Sequence, residues 1–186
     1  MSTPTNPSCL KVASIQMVST PNVQENLSTA SRLIAAAAAD GAQLAVLPEY
    51  FCLMGLKDID KVSARETIGS GPIQEQLSLI AKQNQLYLVA GTIPLETSDP
   101  SKVLNTTLAF NSSGQQIARY DKIHLFGFQT ATERYQESET IEAGNEPGIL
   151  KISVDGNDWT FGLSICYDLR FPELYRALGP VDCHII

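Results

Sequence analysis

Residues 159–179 read WTFGLSICYDLRFPELYRALG, and this stretch decides how the chain is expected to fold. Its apolar first part predicts a strand that ends at Cys166. A helix is predicted over 172–178, because proline suits a first helical turn and Gly179 can end a helix. A cysteine between a strand and a helix projects from the edge of a sheet, where backbone N–H groups of the next turn can bind an oxyanion or lower the pKa of the thiol. The alternative interpretation is an inert cysteine packed in the core.

Strand-like and helix-like stretches alternate along the rest of the chain. Residues 121–147 are the exception, since they have little periodicity, and a connection of that length usually has a function. Two crossovers that contain helices, next to hairpins, predict a mixed sheet covered by helices, in the α/β or α+β class. The predicted elements are strands at 10–17, 44–47 and 86–93, helices at 23–39 and from Pro72, one helical turn within 56–70, hairpins at 104–120 and 149–165, and a strand at 181–186.

The composition is that of a globular protein and argues against several function classes. Hydrophobic residues make up 44% and charged residues 18% of the 186 residues, and the net charge is −7. A nucleic-acid or anionic-membrane surface needs clustered positive charge, so neither partner is expected. No apolar run approaches the length of a membrane span, and the polar start has no signal-peptide pattern. We therefore expect a cytoplasmic protein whose residues 1–9 are a flexible N-terminus.

Neither the cysteines nor the histidines are spaced as metal ligands. The four cysteines include no CxxC pair, which argues against zinc-ribbon and thioredoxin sites, and they are expected to be free thiols. Asp182, Cys183 and His184 are adjacent, but a strand turns Cys183 to the side opposite the other two. His124 stands alone, and the sequence places neither histidine beside Cys166. No metal site is predicted.

Three charged residues elsewhere in the chain are candidates for catalysis. Glu49 follows a predicted strand, and catalytic groups gather at strand C-termini in such sheets, although a carboxylate on a surface turn is the alternative. Lys122 opens the long irregular segment among apolar residues; a buried ammonium there needs a carboxylate partner, whereas most lysines are simply solvated. Glu137 lies among other acids and has no local pattern of its own. Spacing alone does not bring Glu49, Lys122 and Cys166 together.

Three motifs resemble those of the nitrilase superfamily, the carbon–nitrogen hydrolases that use a Glu–Lys–Cys triad. They are LPEYF around Glu49, YDKIHLF around Lys122 and GLSICYDLRFPELYRAL around Cys166, and they occur in the family's order. Further matches are GPIQEQLSLIAKQNQLYLVAGTIP, LNTTLAFNSSGQQIARYDK and the RYQES segment that carries Glu137. The resemblance extends over nearly the whole chain from Leu10.

The resemblance implies the family's α-β-β-α sandwich, typically as a homodimer, and hydrolysis of a small-molecule carboxamide. Cys166 is then the nucleophile that forms a thioester, and Glu49 is the general base. Lys122 stabilises the oxyanion together with the backbone N–H of Tyr167. The family's second glutamate corresponds to Glu137, which would orient Lys122 or the substrate. No metal or organic cofactor is implied.

The segment CYDLRFPELYR is most similar to the branch of ω-amidases and deaminated-glutathione amidases, whose substrates carry a carboxylate at the other end. Such an acid needs a cationic contact, and Arg170 is a candidate by proximity, with an ion pair to Glu173 or another local acid as the alternative. Two other functions stay open: a nitrilase or other amidase with the same triad, and an inactive or partner-binding member of the family. Because family members continue past the last predicted strand, residues 10–186 are expected to form a carbon–nitrogen hydrolase domain that is incomplete at its C-terminus.

Overall fold

Two main β-sheets, a small two-stranded sheet and the helices that cover the main sheets form the structure, a computed structural model that describes residues 9–186. The flexible N-terminus predicted at residues 1–9 lies outside the described residues, except for Cys9. The strands are β1 (Val12–Ser14), β2 (Leu44–Val46), β3 (Tyr87–Val89), β4 (Ile93–Glu96), β5 (Val103–Phe110), β6 (Gln116–Asp121), β7 (Gly127–Gln129), β8 (Arg134–Gln136), β9 (Ile141–Glu142), β10 (Gly148–Val154), β11 (Asn157–Leu163) and β12 (Cys183–Ile185). The helices are α1 (Val23–Ala39), α2 (Asp60–Ser63), α3 (Pro72–Asn84) and α4 (Pro172–Leu178), with 3₁₀ helices at Glu137–Glu139 and Cys166–Arg170.

The two main sheets differ in size and in strand direction. In the larger sheet β1, β2 and β3 are parallel, β5 runs antiparallel to β3, β4 and β6, and the short β9 pairs with β5 in parallel. In the smaller sheet β10 and β11 form an antiparallel hairpin, and β12 joins β11 in parallel. β7 and β8 form a separate two-stranded sheet. The prediction of mixed strand pairing is confirmed.

Apolar residues on both faces of the larger sheet arrange the fold in four layers. On one face, α1 and α3 bury their apolar sides against the sheet. On the other face, Tyr120 of the larger sheet shares a buried cluster with Leu150 and Phe161 of the smaller one. α4 covers the outer face of the smaller sheet, where a Cβ on Gly162 would come within 2.8 Å of Leu178 Cδ1. This arrangement is the α-β-β-α sandwich that the resemblance implies.

Local signals explain where the longer helices begin. Asn22 caps α1, because its side-chain oxygen accepts the backbone N–H of Glu25 at 3.1 Å. At the start of α3, the buried carboxylate of Glu66 accepts the backbone N–H groups of Ile73 and Gln74 at 2.6 and 3.1 Å. A carboxylate there satisfies free N–H groups and complements the positive end of the helix dipole.

The strand predicted at 86–93 is two strands, β3 and β4, which are separated at Gly91. Gly91 has a φ of 50°, and a Cβ there would clash with the Pro48 carbonyl oxygen, so glycine allows the chain to bend against the loop that carries Glu49. Pro94, which follows the strand predicted at 86–93, lies inside β4. Because β4 is at the edge of the sheet, the missing N–H of proline is tolerated there. β1 covers only part of the strand predicted at 10–17.

Two further corrections concern the connections that carry the candidate residues. Residues 121–147 are more regular than predicted, since they contain β7, β8, a 3₁₀ helix and β9, none longer than three residues. Elements this short show no periodicity in a sequence. β11 ends at Leu163, so Cys166 does not end the strand but opens the 3₁₀ helix that follows it.

Candidate active site

The loop after β2 carries Glu49 to the edge of the larger sheet. Tyr50 follows in a left-handed conformation with φ 55°, and its backbone N–H donates to the Thr92 hydroxyl at 2.8 Å, which holds the loop. Asn105 on β5 donates from Nδ2 to Glu49 Oε1 at 2.9 Å. The Glu49 side chain is 23% exposed. Glu49 is therefore oriented by the sheet and remains accessible.

Lys122 follows β6, and its side chain is completely buried. Its backbone N–H donates to the Asn105 carbonyl at 3.0 Å, so one residue of β5 holds both Glu49 and Lys122. Lys122 Nζ lies 3.1 Å from Glu49 Oε1 and 2.9 Å from Glu137 Oε1. Burial lowers the pKa of Lys122, but the two carboxylates more than offset this, and the pKa is raised overall. A buried lysine needs a carboxylate partner, and Lys122 has two, Glu49 and Glu137.

Glu137 opens its 3₁₀ helix and is buried. Its Oε2 accepts the backbone N–H of Phe126 at 2.7 Å, while Oε1 faces Lys122 and lies 3.4 Å from the Tyr50 hydroxyl. Burial and then the Glu137 and Glu49 carboxylates raise the pKa of Tyr50, so this hydroxyl is a neutral donor. The structure therefore brings Glu49, Lys122 and Glu137 together.

Cys166 sits in a strained turn, with a φ of 49° that few residues other than glycine adopt. Cys166 is exposed to solvent, but partial desolvation raises the pKa of its thiol, and the Glu49 carboxylate raises it further, although Lys122 opposes this. The lowering of the thiol pKa considered from the sequence is therefore wrong. The thiol remains protonated at neutral pH, and a nucleophilic role requires a base.

Asp168 anchors the turn that carries the cysteine, and its side chain is completely buried. Its Oδ2 accepts the backbone N–H of Ile165 at 2.9 Å and the Tyr120 hydroxyl at 2.6 Å. Its Oδ1 accepts the backbone N–H of His124 at 2.9 Å and lies 2.7 Å from His124 Nδ1. Tyr120 and His124 lie two residues before and after Lys122. One carboxylate thus ties the cysteine turn to the lysine segment.

Tyr167 directly follows Cys166 in the 3₁₀ helix. Among the residues that the structure describes, none accepts a hydrogen bond from the Tyr167 backbone N–H. The Tyr167 ring packs edge-on against Phe126 and Phe171, with centroid distances of 5.2 and 5.3 Å. These contacts fix the residue in place while its N–H remains available to a ligand.

A cavity of about 260 Å³ lies beside Glu49 and Cys166, with its other walls formed by both sheets. Arg170 does not line this cavity. It is exposed at the end of the 3₁₀ helix. The ion pair with Glu173 is not formed, since Glu173 pairs with Arg176 at 2.9 Å, and no other acid of the described residues forms a salt bridge with Arg170. The structure therefore leaves Arg170 apart from the three residues that it brings together.

The two histidines contact aromatic rings. His124 stacks on Phe171 with ring centroids 3.7 Å apart, and His184 lies edge-on to Tyr175 at 4.9 Å. Within residues 9–186, no group of three or more His, Cys, Asp or Glu side chains is arranged to hold a metal ion. Asp182, Cys183 and His184 therefore do not form such a group.

Sequence reasoning missed two residues that organise the site, Asn105 and Asp168. Both are buried polar residues, and each holds segments that are far apart in the chain. The available signal for Asn105 was a polar side chain within the apolar strand LNTTLAF. For Asp168 it was an acid directly inside the turn after the cysteine. A buried polar side chain requires partners, but the sequence does not say which.

Alkylation of Cys166 by iodoacetamide is expected to begin at higher pH than alkylation of a free cysteine peptide, because the raised pKa keeps the thiol protonated. Replacing Glu49 with glutamine removes a carboxylate that raises this pKa, so the rise in rate should move to lower pH. Mass spectrometry of the Cys166 peptide over a pH series measures both profiles. A wild-type profile that coincides with the free peptide would contradict the assigned environment.

Known proteins resemble this chain over most of its length. The family model described as Carbon-nitrogen hydrolase matches residues 11–186. Deaminated glutathione amidase from Synechocystis sp. is 38% identical over 170 residues, which are 90% of this chain and 61% of that protein. Omega-amidase NIT2 from Xenopus tropicalis is 33% identical over 178 residues, which are 95% of this chain and 61% of that protein. The chain thus spans about three fifths of the length of these curated relatives.

A solved structure shares the fold. Saccharomyces cerevisiae Nit3, a member of branch 10 of the nitrilase superfamily, superposes with a TM-score of 0.72 at 32% identity. The match covers 89% of this chain and 58% of the Nit3 chain. As for membranes, none of the helices within residues 9–186 has the length and apolar character needed to cross one.

Proposed function

Because the chain belongs to the carbon–nitrogen hydrolase family, we propose that it hydrolyses the C–N bond of a carboxamide in a small ω-amide acid and releases ammonia through a cysteine thioester. The observation that carries the proposal is Lys122, whose buried ammonium lies 3.1 Å from Glu49 and 2.9 Å from Glu137 in the neighbourhood of Cys166. A base, a cation and a nucleophile in one place are what acyl transfer to a thiol needs. Residues 10–186 would supply these groups as part of a longer hydrolase domain.

Glu49 acts as the general base for Cys166. Because the pKa of the thiol is raised, the thiolate is not preformed, and the proton leaves as sulfur attacks the carbonyl carbon. Asn105 and Lys122 both contact Oε1 of Glu49, which leaves Oε2 for the thiol proton. The attack forms the C–S bond and moves the carbonyl electron pair onto oxygen.

Lys122 and the backbone N–H of Tyr167 stabilise the resulting oxyanion. The neighbouring carboxylates keep Lys122 charged although it is buried, and donors that are fixed before the reaction need no reorganisation during it. Glu137 is a positioning residue, because it pairs with Lys122 at 2.9 Å and is itself held by the Phe126 backbone N–H.

Collapse of the tetrahedral intermediate breaks the C–N bond. Glu49 returns its proton to the nitrogen, ammonia leaves, and the acyl group remains on Cys166 as a thioester. Glu49 then takes a proton from water, whose oxygen attacks the thioester carbonyl; the C–S bond breaks and the thiolate recovers the proton. Side chains, one backbone N–H and the attacking water supply every proton and charge in these steps, so the proposal includes no metal or organic cofactor.

The proposed substrate is a small molecule that carries a carboxylate at the end opposite its amide. The names of the two relatives, deaminated glutathione amidase and omega-amidase, support this class. Arg170 is retained as one candidate for the carboxylate contact, since Glu173 pairs with Arg176 instead of with it.

The proposed setting is the cytoplasm, with the enzyme as a homodimer and without nucleic-acid or membrane partners. The cysteines of the described chain are all free thiols, which fits a reducing compartment. The net charge of −7 supports the absence of a nucleic-acid surface. The homodimer rests on the resemblance to the nitrilase superfamily.

Ammonia release from matched amides and nitriles tests the proposed function. The chain is expected to release ammonia from glutaramate and succinamate and not from the corresponding nitriles, because the relatives that it resembles are named as amidases. Release from the nitriles alone would make the protein a nitrilase. No release at all, with Cys166 also unreactive to iodoacetamide, would favour an inactive member of the family.

A further inference from the structure

A second cavity, of about 80 Å³, lies beside the loop that carries Glu49. The proposed catalytic side chains do not line this cavity, so it has no role in the proposed mechanism. It combines two aromatic rings with three charged side chains. Its lining residues are Tyr50, Leu53, Met54, Gly55, Lys57, Asp58, Lys61 and Tyr135.

Lys61, on α2, is a largely buried cation in this cavity. Its side chain is 14% exposed, compared with 57% for Asp58. Lys61 Nζ lies 3.7 Å from Asp58 Oδ1, 3.4 Å from Thr140 Oγ1 and 5.6 Å from the centre of the Tyr50 ring. The two polar contacts are longer than typical charge-assisted hydrogen bonds, which are about 2.7–2.9 Å. Among the described residues Lys61 therefore has only a long ion pair, to the mostly exposed Asp58, whereas Lys122 has two short ones.

Two tyrosines join this cavity to the proposed catalytic residues. Tyr50 directly follows Glu49, and its hydroxyl lies 3.4 Å from Glu137 Oε1. Burial raises the pKa of Tyr135, and Asp58 on the cavity side and Glu137 on the catalytic side raise it further. Tyr135 lines the cavity, and its hydroxyl is a neutral hydrogen-bond donor.

We propose that Lys61 forms a subsite for the carboxylate at the far end of the substrate, with the Tyr135 hydroxyl as a second donor. This inference rests on the proposed function, because it assigns a place to one end of the same substrate. A carboxylate would give Lys61 the short charged partner that residues 9–186 do not provide, and shielding from water strengthens such a contact. The pairing with Asp58 competes weakly, since that carboxylate is mostly exposed. Arg170 lines neither cavity.

Glutaramate and pentanamide test the subsite, because they share the amide and the chain length but only glutaramate has a carboxylate. Replacing Lys61 with methionine is expected to lower kcat/KM for glutaramate about 10- to 100-fold and to leave pentanamide within about twofold. Lys61→Arg keeps the charge and should recover part of the loss. Lys82→Met, on an exposed position of α3, changes the net charge equally and should affect neither substrate.

An equal loss for both amides in Lys61→Met would show a structural role, and a selective loss in Arg170→Met instead would place the carboxylate at Arg170. Either result overturns the proposal.

A second measurement does not depend on turnover. Glutarate is expected to slow the alkylation of Cys166 by iodoacetamide in the wild-type chain and in Lys82→Met, but not in Lys61→Met. Protection without any ammonia release would contradict the proposed function and support the subsite. No protection of the wild-type chain would overturn the subsite even if ammonia is released.

Discussion

Replacing Cys166 with alanine is expected to lower ammonia release from glutaramate by about 10⁴-fold or more, because no thioester can form without the thiol. Glu49 and Lys122 remain in place, so binding and oxyanion stabilisation leave only a small residual rate. Cys166→Ser should be almost as inactive, since a hydroxyl gives up its proton to a carboxylate far less readily than a thiol does. Ammonia assays give the rates, and the mass of the rapidly quenched protein should show an acyl adduct in the wild-type chain only.

Cys9→Ala is the matched control for this prediction. Cys9 is an exposed free thiol near the start of the described chain and has no part in the proposed site, so its removal should leave the rate unchanged. An acyl adduct on a cysteine other than Cys166, or turnover retained in Cys166→Ala, would assign the nucleophile elsewhere.

Replacing Asp168 with asparagine is expected to lower the free energy of unfolding by about 2–4 kcal/mol, because two backbone donors, one buried and one partly buried, depend on its two oxygens. Oδ1 accepts the N–H of His124 and Oδ2 accepts the N–H of Ile165, both at 2.9 Å. An asparagine amide has a single oxygen, so its NH₂ group must face one of these N–H groups in either orientation. Urea unfolding measures the loss.

The same variant is expected to lose about 100-fold in kcat/KM, since the released turn no longer holds Cys166 in place and small displacements cost that much. Tyr120→Phe is the matched variant, because it removes only the 2.6 Å hydrogen bond to Oδ2 and leaves both backbone donors satisfied. Its loss of stability should be smaller, about 1–2 kcal/mol. Equal effects of the two variants on stability and rate would contradict the assigned role of Asp168.

Most elements of the fold could be predicted because their signals are local. Asn22 and Pro72 mark helix starts, and α1 spans the residues that its apolar spacing indicates. The break between β3 and β4 could not be predicted, because Gly91 bends where the Pro48 carbonyl leaves no room for a side chain. That contact exists only after the two segments have packed together.

For the candidate site, the resemblance to the nitrilase superfamily identified Glu49, Lys122 and Cys166, and membership of the family is confirmed. The catalytic roles of these residues stay predictions. The direction of the thiol pKa shift was not predictable, because it depends on burial and on the position of a carboxylate that lies far away in the chain. The partners of Asp168 were not predictable for the same reason, since they also lie far away in the chain.

The order and type of most elements, and a cysteine in a turn before a helix, follow from local preferences that any short stretch of this chain carries. Glu49 and Lys122 are 73 residues apart, and only folding brings them together. Folding also places the Glu137 carboxylate against the same ammonium. Electrostatic energies depend on distance and on burial, and neither is a property of a local stretch of sequence. The charge on Lys122, the protonated thiol of Cys166 and the weakly partnered Lys61 are consequently features of the tertiary structure.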